Sequence, residues 1–569
     1  MLNKKKFAAL IAALGVCASC TGSFAAETSG TPYPPAVSAN TLHELGLMNG
    51  RGNGLEIDQP VTRAEAVVLL SRVVGANAAD AETEEFPDVD AETLGWAYLA
   101  VMSFRSEGII QGDPDGNFSP YREVTGTEFM NMCCRIAGFE EYEDDPSAVF
   151  SIDSVINLAE PLTRGEAAEL CVMLLTSETS TGQMGYERLI AHGYDSKKLR
   201  KALLYRLPEL SESLLADDLN GYMPADENYM FSPMSLKMLT AIAANGASGE
   251  TRQQLLDAMY ISYLDAYNTE AAADIEKLNS AASVELEVAN SVWLNTDRTQ
   301  SSFGDGFLNT AQSIYDAELS TVTNDNAINT INGWASEKTR GKIPTIINNN
   351  EFKFALLNAM YFKGNWADEF DPADTVKETF TDKNGEEHEI DFMHKTDTVL
   401  YSGDNGMQIV RLPYVPDETN ATNIGMYVMK NTDGTVIEDP AGALEGAVMS
   451  NARIELGLPK FEIENEFDMK EILSDMGVTK AFEEDAEFSD MLDDTGIYID
   501  YMRQKTYINV DETGTEAAVV TGAAGGTTSV PPEPVTVRFD TPFTYIIKDD
   551  ISGRILFMGT YAFADSSEQ

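Results

Sequence analysis

The stretch "DETGTEAAVVTGAAGGTTSV" (residues 511–530) decides how this chain reads, because most of it has nothing to fold around. From Gly514 to Val530 there are four glycines, four alanines, four threonines, three valines, one serine and a single charge, Glu516. No aromatic residue, leucine or proline occurs there, and Pro531–Pro532 ends the run. One reading is a flexible Gly/Ala linker. The other is a strand held in reserve. Successive strand residues face opposite ways, so Thr515, Ala517, Val519, Thr521, Ala523 and Gly525 would share one face. All six are small and uncharged, and such a face enters a packed interior without burying a charge. The other face carries Glu516, Ala518, Val520, Gly522, Ala524 and Gly526, with its one charge at the start. The lack of proline leaves every ladder N–H available. A linker explains the composition but not the missing bulk on the alternate face.

Working outward, "MFSPMSLKMLTAIAANGASGETRQQL" (230–255) reads as a helix closed at Gly246. "SVELEVANSVWLN" (283–295) and "ARIELGLPKFEIEN" (452–465) alternate like strands. "FKFALLNAMYFKGNW" (352–366) is almost continuously apolar, as a central strand covered on both faces would be. "KTYINV" (505–510) and "PFTYIIKD" (542–549) are rich in β-branched and aromatic residues. Helices come first and strands dominate later, which predicts an α+β domain.

These residues carry a resemblance to the serpins, the serine protease inhibitor family, over residues 197–565. The matching stretches are "FSPMS" (231–235), "GASGET" (246–251), "INGWASEKTRGKI" (331–343), "NAMYFKGNW" (358–366), "LPKFEIE" (458–464), "MGVTKAFEEDAEFSDM" (476–491), "DETGTEAA" (511–518), "PFTYIIKD" and "GRILFMGTY" (553–561), in family order. The resemblance implies three β-sheets, about nine helices and an exposed reactive-centre loop. A protease cleaves the loop as bait and forms an acyl-enzyme. The loop's N-terminal half then enters the central sheet and drags the protease with it. It also implies a hinge at Glu512, Gly514, Thr515, Glu516, Ala517, Ala518, Val519 and Val520. The residue before the scissile bond lies fourteen places after the hinge glycine in inhibitory members, which gives Thr528–Ser529 here or a bond one or two residues away. "SVPPEP" (529–534) resembles the usual continuation. Thr528 is small and uncharged and suits the shallow pocket of an elastase-like or subtilisin-like serine protease. Ser232, Ser235 and Asn358 correspond to the "shutter" beneath the opening sheet, and Trp366 to the "breach" where insertion begins. Many members place a histidine in the shutter where this chain has Gln504, which hydrogen-bonds but does not titrate. A new strand of roughly a dozen residues would add on the order of 10–20 kcal/mol of ladder hydrogen bonds.

Toward the N-terminus three segments resemble one another: "VTRAEAVVLLSRVVG" (61–75), "VTGTEFMNMCCRIAG" (124–138) and "LTRGEAAELCVMLLT" (162–176). Each opens on Thr-x-x-Glu, the reciprocal helix-capping pattern, and continues with a 3.6-period apolar face. They are three helices of one repeated unit, and the third unit is truncated upstream. The pattern resembles the S-layer homology repeat, a small all-α module that binds secondary polymers of Gram-positive cell walls. That resemblance places Arg63 and Arg164 near a bound polymer, with Gly126 standing at that position in the middle unit. A surface arginine beside a helix start is the plainer alternative. "DPDGN" (113–117) lacks the spacing of a calcium loop and reads as a turn. Cys133 and Cys171 take the place of Leu70 and read as core residues.

Length and charge bound the rest. A chain of 569 residues, 43% apolar, suits several domains. The net charge of −53 repels nucleic acid and heparin-like polyanions, so neither is expected as a partner. Lys4, Lys5 and Lys6 before Phe7–Val16 read as an export signal cut after Ala25, with lipidation at Cys17 or Cys20 the alternative. The expected order is signal peptide (1–25), linker (26–40), repeat module (41–180), linker (181–196) and serpin domain (197–565). The expected partners are a target serine protease and a cell-wall polymer, and the expected state is a monomer at the extracellular cell surface. No cofactor or metal is called for. His43, His192, His388 and His394 form no enzyme motif, and His388 and His394 read as surface residues flanking a strand. The alternative function is a non-inhibitory serpin that binds or adheres at the cell surface.

Overall fold

The computed structural model describes residues 34–52, 54–76, 85–152, 156–280, 284–403, 406–416, 421–492, 497–515 and 533–564. The expected signal segment, Cys17, Cys20, Glu516 to Val520, Thr528 and Ser529 lie outside them. The chain forms two compact units, Met1–Gly185 and Tyr186–Gln569.

The first unit contains helices α1 (Pro34–Glu44), α2 (Arg63–Val73), α3 (Gly95–Ser106), α4 (Gly126–Ala137) and α5 (Arg164–Leu175). Helix α1 starts inside the segment expected to be a linker and packs on α5. All three capping boxes form: the hydroxyls of Thr62, Thr125 and Thr163 accept from the N–H groups of Glu65, Glu128 and Glu166, whose carboxylates accept from the threonine N–H in return. The residues just before the caps close a ring. Val61 N–H donates to Leu162 O at 3.0 Å, Leu162 N–H to Val124 O at 3.0 Å, and Val124 N–H to Val61 O at 3.1 Å. Two further backbone bonds flank each of these, as from Arg63 N–H to Arg122 O and Ala64 N–H to Pro120 O, so the three repeats are joined head to tail about a pseudo-threefold axis. Cys133, Cys134 and Cys171 are buried in the helix cores, as a leucine-like role requires. The "DPDGN" turn is held by the Asp113 carboxylate, which accepts from the N–H groups of Asp115 and Asn117.

The second unit begins with a helix, Gly185–Ala191, in which Tyr186 and Leu189 are buried. It lies in the stretch expected to be a linker; its polar and glycine-rich flanks masked two core residues. Six strands make one sheet in the order β10 (Phe461–Asp468), β11 (Tyr501–Asp511), β12 (Gly514–Thr515), β4 (Phe354–Asn365), β2 (Val284–Asn295) and β3 (Glu318–Val322). Strand β4 is buried on both faces. Its Phe354, Leu356, Asn358, Met360 and Phe362 face the main core, while Ala355, Leu357, Ala359 and Tyr361 join Trp293 and Trp334 beneath the helix Ala327–Lys338.

The other sheet has nine strands: β1 (Tyr229–Phe231), β15 (Ile555–Tyr561), β14 (Phe543–Asp549), β8 (Ile424–Asn431), β7 (Met407–Pro413), β6 (Glu387–Ser402), β9 (Ser450–Pro459) and β13 (Val535–Arg538) in order, with β5 (Val376–Thr381) on β6. Two of the three expected sheets are thus one hydrogen-bonded surface. The joint is β6, whose 16 residues pair with β5 and β9 and whose last two, Tyr401 and Ser402, pair with β7. His388 and His394 lie within β6 rather than flanking it, and His394, half-buried, approaches Glu378 at 3.3 Å.

The module yields one prediction. A Cβ on Gly126 would lie 2.5 Å from Leu158 Cα, a backbone atom that cannot yield cheaply. Gly126→Ala should destabilise the first unit by about 1–3 kcal/mol. The check is the unfolding transition of that unit in the full chain, with the second unit's transition unmoved.

Candidate functional site

The central feature is a slot between β11 and β4. These strands run parallel and pair from Tyr501/Ala355 to Tyr507/Tyr361. Beyond Tyr507 they separate, and the two-residue β12 sits between them. It is antiparallel to both: Thr515 pairs with Val510 of β11 and Gly364 of β4, and Gly514 with Asp511 and Asn365. Gly514 is required there, with φ of 150° and with Gly364 O only 2.2 Å from where a Cβ would stand. The loop has already placed its first two residues in the sheet.

Below that point the slot is held shut by buried amides. Gln504 on β11 accepts from Ser232 N–H at 2.8 Å and donates to Ser232 O at 3.0 Å and to Asn358 Oδ1 on β4 at 3.3 Å. Asn358 donates in turn to Asn290 Oδ1 on β2 at 3.0 Å. Ser232 caps the helix Pro233–Gly246, its Oγ accepting from Ser235 N–H. The five predicted shutter and breach residues thus fall into two groups. Ser232, Ser235, Asn358 and Gln504 form one fully buried cluster, and Trp366 stands at the top of the slot. Glutamine suits its place because one amide serves both the N–H and the C=O of a single residue. Sequence reasoning missed Asn290, which interrupts an alternating strand with an amide on the core side. It also missed Thr506, whose Oγ1 donates to Met230 O at 2.7 Å.

At the top, Trp366 Nε1 donates to Asp511 O at 3.0 Å, and Trp366 N–H to Thr513 O at 3.1 Å. Its ring stacks on Tyr414 at 4.8 Å and 12°. The Tyr414 hydroxyl lies 3.0 Å from Thr515 Oγ1, so a residue absent from the sequence-level site touches the loop's first inward side chain. Glu512 is clamped from two sides, by Lys460 at 2.8 Å and by Thr375 Oγ1 at 2.7 Å. Burial pushes its carboxyl up, but these hydrogen bonds outweigh that and hold it below the usual range.

In the repeat module, the two predicted arginines are largely buried linkers between units. Arg63 donates to Phe118 O at 2.9 Å, Gln111 O at 3.2 Å and Glu128 at 2.9 Å. Arg164 donates to Leu55 O at 2.9 Å and Asn49 O at 2.7 Å, with Glu65 at 3.8 Å. Each therefore holds the loop and the capping glutamate of the neighbouring unit. Each also edges a groove: about 520 Å³ beside Arg63, Arg122, Arg135 and Asp113, and about 230 Å³ beside Arg164, Arg51, Arg72 and Trp96. At the third junction Gly126 N–H donates to Glu160 O and Thr127 N–H to Leu158 O, and the chain itself fills the position where an arginine would stand.

Two predictions follow from the slot. Gln504→Leu strands a buried N–H and C=O and should cost about 2–4 kcal/mol, read from the denaturant midpoint. Because Gln504 does not titrate, spontaneous conversion to loop-inserted or polymeric forms should be flat from about pH 5.5 to 7.5, while Gln504→His should add a step near about pH 6. Glu512 acts lower. Its depressed carboxyl supports the native state above the ordinary range near about 4.3 and loses that support as pH falls through the lowered value, so the hinge should loosen only there. A wild-type midpoint near pH 6 would contradict this assignment.

Comparison with known proteins agrees with this geometry. A family model described as "Serpin (serine protease inhibitor)" matches residues 215–563, and one described as "S-layer homology domain" matches 38–67 and 85–130. An uncharacterized serpin-like protein of Methanosarcina acetivorans is 30% identical over 358 residues, 59% of this chain and 80% of that protein. Iripin-3 of Ixodes ricinus is 29% identical over 357 residues, 58% of this chain and 88% of its own. Among solved structures, the thermophilic serpin tengpin in its native state superposes with a TM-score of 0.56 at 26% identity, covering 63% of this chain and 93% of tengpin. A closed parallel slot, a loop started into its mouth and a matching family model over most of the chain make this protein a member of the serpin family, carrying S-layer homology repeats ahead of its inhibitor-type domain.

Proposed function

We propose that the protein is a cell-wall-attached, secreted suicide inhibitor of serine proteases, cleaved at Thr528–Ser529 or within a residue or two of it. The observation that carries this reading is the parallel β4–β11 pair with β12 already antiparallel to both. A strand continuing β12 replaces one parallel contact by two antiparallel ladders, which are the more stable kind per residue. Cleavage frees the segment to continue, and the acylated protease travels with its end. The residues just before the bond, Thr521 to Thr528, carry no charge or bulk, which favours elastase-like or subtilisin-like targets. Two open grooves edged by arginines, in a module of S-layer homology type, support attachment to an anionic wall polymer.

Incubation with an elastase-like or subtilisin-like protease should give a complex that survives SDS, and mass spectrometry of the released fragment should begin at Ser529 or within two residues of it. Cleaved chain without complex at every ratio would replace this reading by a non-inhibitory surface-binding serpin. Purified cell wall should retain the full chain and release one lacking residues 34–180. Equal retention would remove the anchoring role.

A further inference from the structure

The β5–β6 hairpin gathers metal-ligating side chains that the inhibitory reading does not use. Thr381 pairs with Glu387 and Phe380 with His388, so Asp382 and Glu386 stand opposite each other around the turn 383–385. Cross-strand neighbours share a face, and so do residues two apart in a strand. Asp382, Glu386 and His388 therefore point to one side, and one ligand atom from each lies within 4.8 Å of the others. We propose that this hairpin tip binds a divalent cation of the zinc type through the two carboxylates and His388 Nε2, with water completing the shell.

The turn prepares Asp382 for this role. Its Oδ1 accepts from Asn384 N–H at 2.8 Å and from Glu386 N–H at 2.9 Å, which fixes the carboxylate and leaves Oδ2 facing His388. Asp382 is only 7% exposed, so Oδ2 has little access to water. Its partner among the described residues, His388 Nε2, stands at 3.4 Å, beyond the usual range of about 2.7–3.2 Å for an N–H···O bond. Two ligand atoms at about 2.0–2.1 Å from a tetrahedral zinc ion lie about 3.3 Å apart, so the spacing suits a shared cation better than a hydrogen bond. With its proton on Nδ1, the imidazole offers the Nε2 lone pair to the ion.

The charges point the same way. Asp382 and Glu386 are like charges directly opposite each other, which costs stability unless a cation lies between them. Among the described residues no lysine or arginine forms an ion pair with either. Lys383, the cation at the tip, instead donates from Nζ to Ala225 O at 2.9 Å. One imidazole with two carboxylates suits zinc, nickel or copper, whereas calcium and magnesium take shells of oxygen. The ion ties the end of β5 to the start of β6, beside the bonds from Thr381 N–H to Asp540 O and from Lys383 N–H to Ala562 O.

The test titrates the full-length protein with zinc chloride in metal-free buffer, followed by calorimetry and by melting. Zinc should bind at one site and raise the melting temperature of the second unit as its concentration rises, while calcium and magnesium at equal concentrations should not. E386Q and H388Q should each lose at least about tenfold in zinc affinity. H192Q, at an exposed histidine outside the hairpin, should bind as wild type does. Metal-free E386Q should melt no lower than wild type, because it removes one of the facing charges, so its loss of affinity is not a loss of fold. Absence of zinc binding at millimolar concentration, or an affinity unchanged in both E386Q and H388Q, would overturn the proposal.

Discussion

The second unit depends on a pairing that is not the best its own chain can make. Strands β4 and β11 touch in parallel although a segment able to run antiparallel between them is attached directly to β11. Two constraints keep the pairing. The segment turns back after Asp511 and is tied at its outer end to β13, which pairs with β9 in the other sheet. The buried amide contact between Gln504 and Asn358 closes the slot from within. On the function proposed above, cutting the loop removes the covalent tie and leaves the amide contact as the restraint.

What the amino-acid order made legible was local. Thr62, Thr125 and Thr163 name their helices because a capping box needs residues only three apart. The run 354–362 names a doubly covered strand because every position except Asn358 is apolar. The shutter and breach positions came through family resemblance; the structure places four of them in one buried cluster and Trp366 at the top of the slot. Tyr414, 101 residues from Thr515, gave no such signal, since its role depends on which strands meet at the top of the slot. The merging of two sheets through β6 was equally hidden, because a strand that changes partner along its length carries no local mark of where the change falls.

Arg63 and Arg164 teach the same lesson in the repeat module. Their position beside a helix start was legible, but not their carbonyl partners, which lie 48 to 115 residues away. A guanidinium offers five donors, enough to fix a neighbouring loop and still edge a groove. The middle unit, with Gly126, uses the space for chain instead. A side chain at 126 would collide with Leu158, so the chain path of the third repeat requires glycine there.

Replacing a shutter histidine by Gln504 changes what can open the sheet. A histidine couples opening to protonation in the neutral range; an amide does not. The Gln504 amide does not titrate, and the titratable restraint on the hinge lies at Glu512, whose carboxylate is protonated only at lower pH. Strand separation at the shutter and release at the hinge are thereby controlled by different chemistry. Glu512 restrains the mouth through Lys460 and Thr375, while the Gln504–Asn358 amide contact closes the middle of the slot.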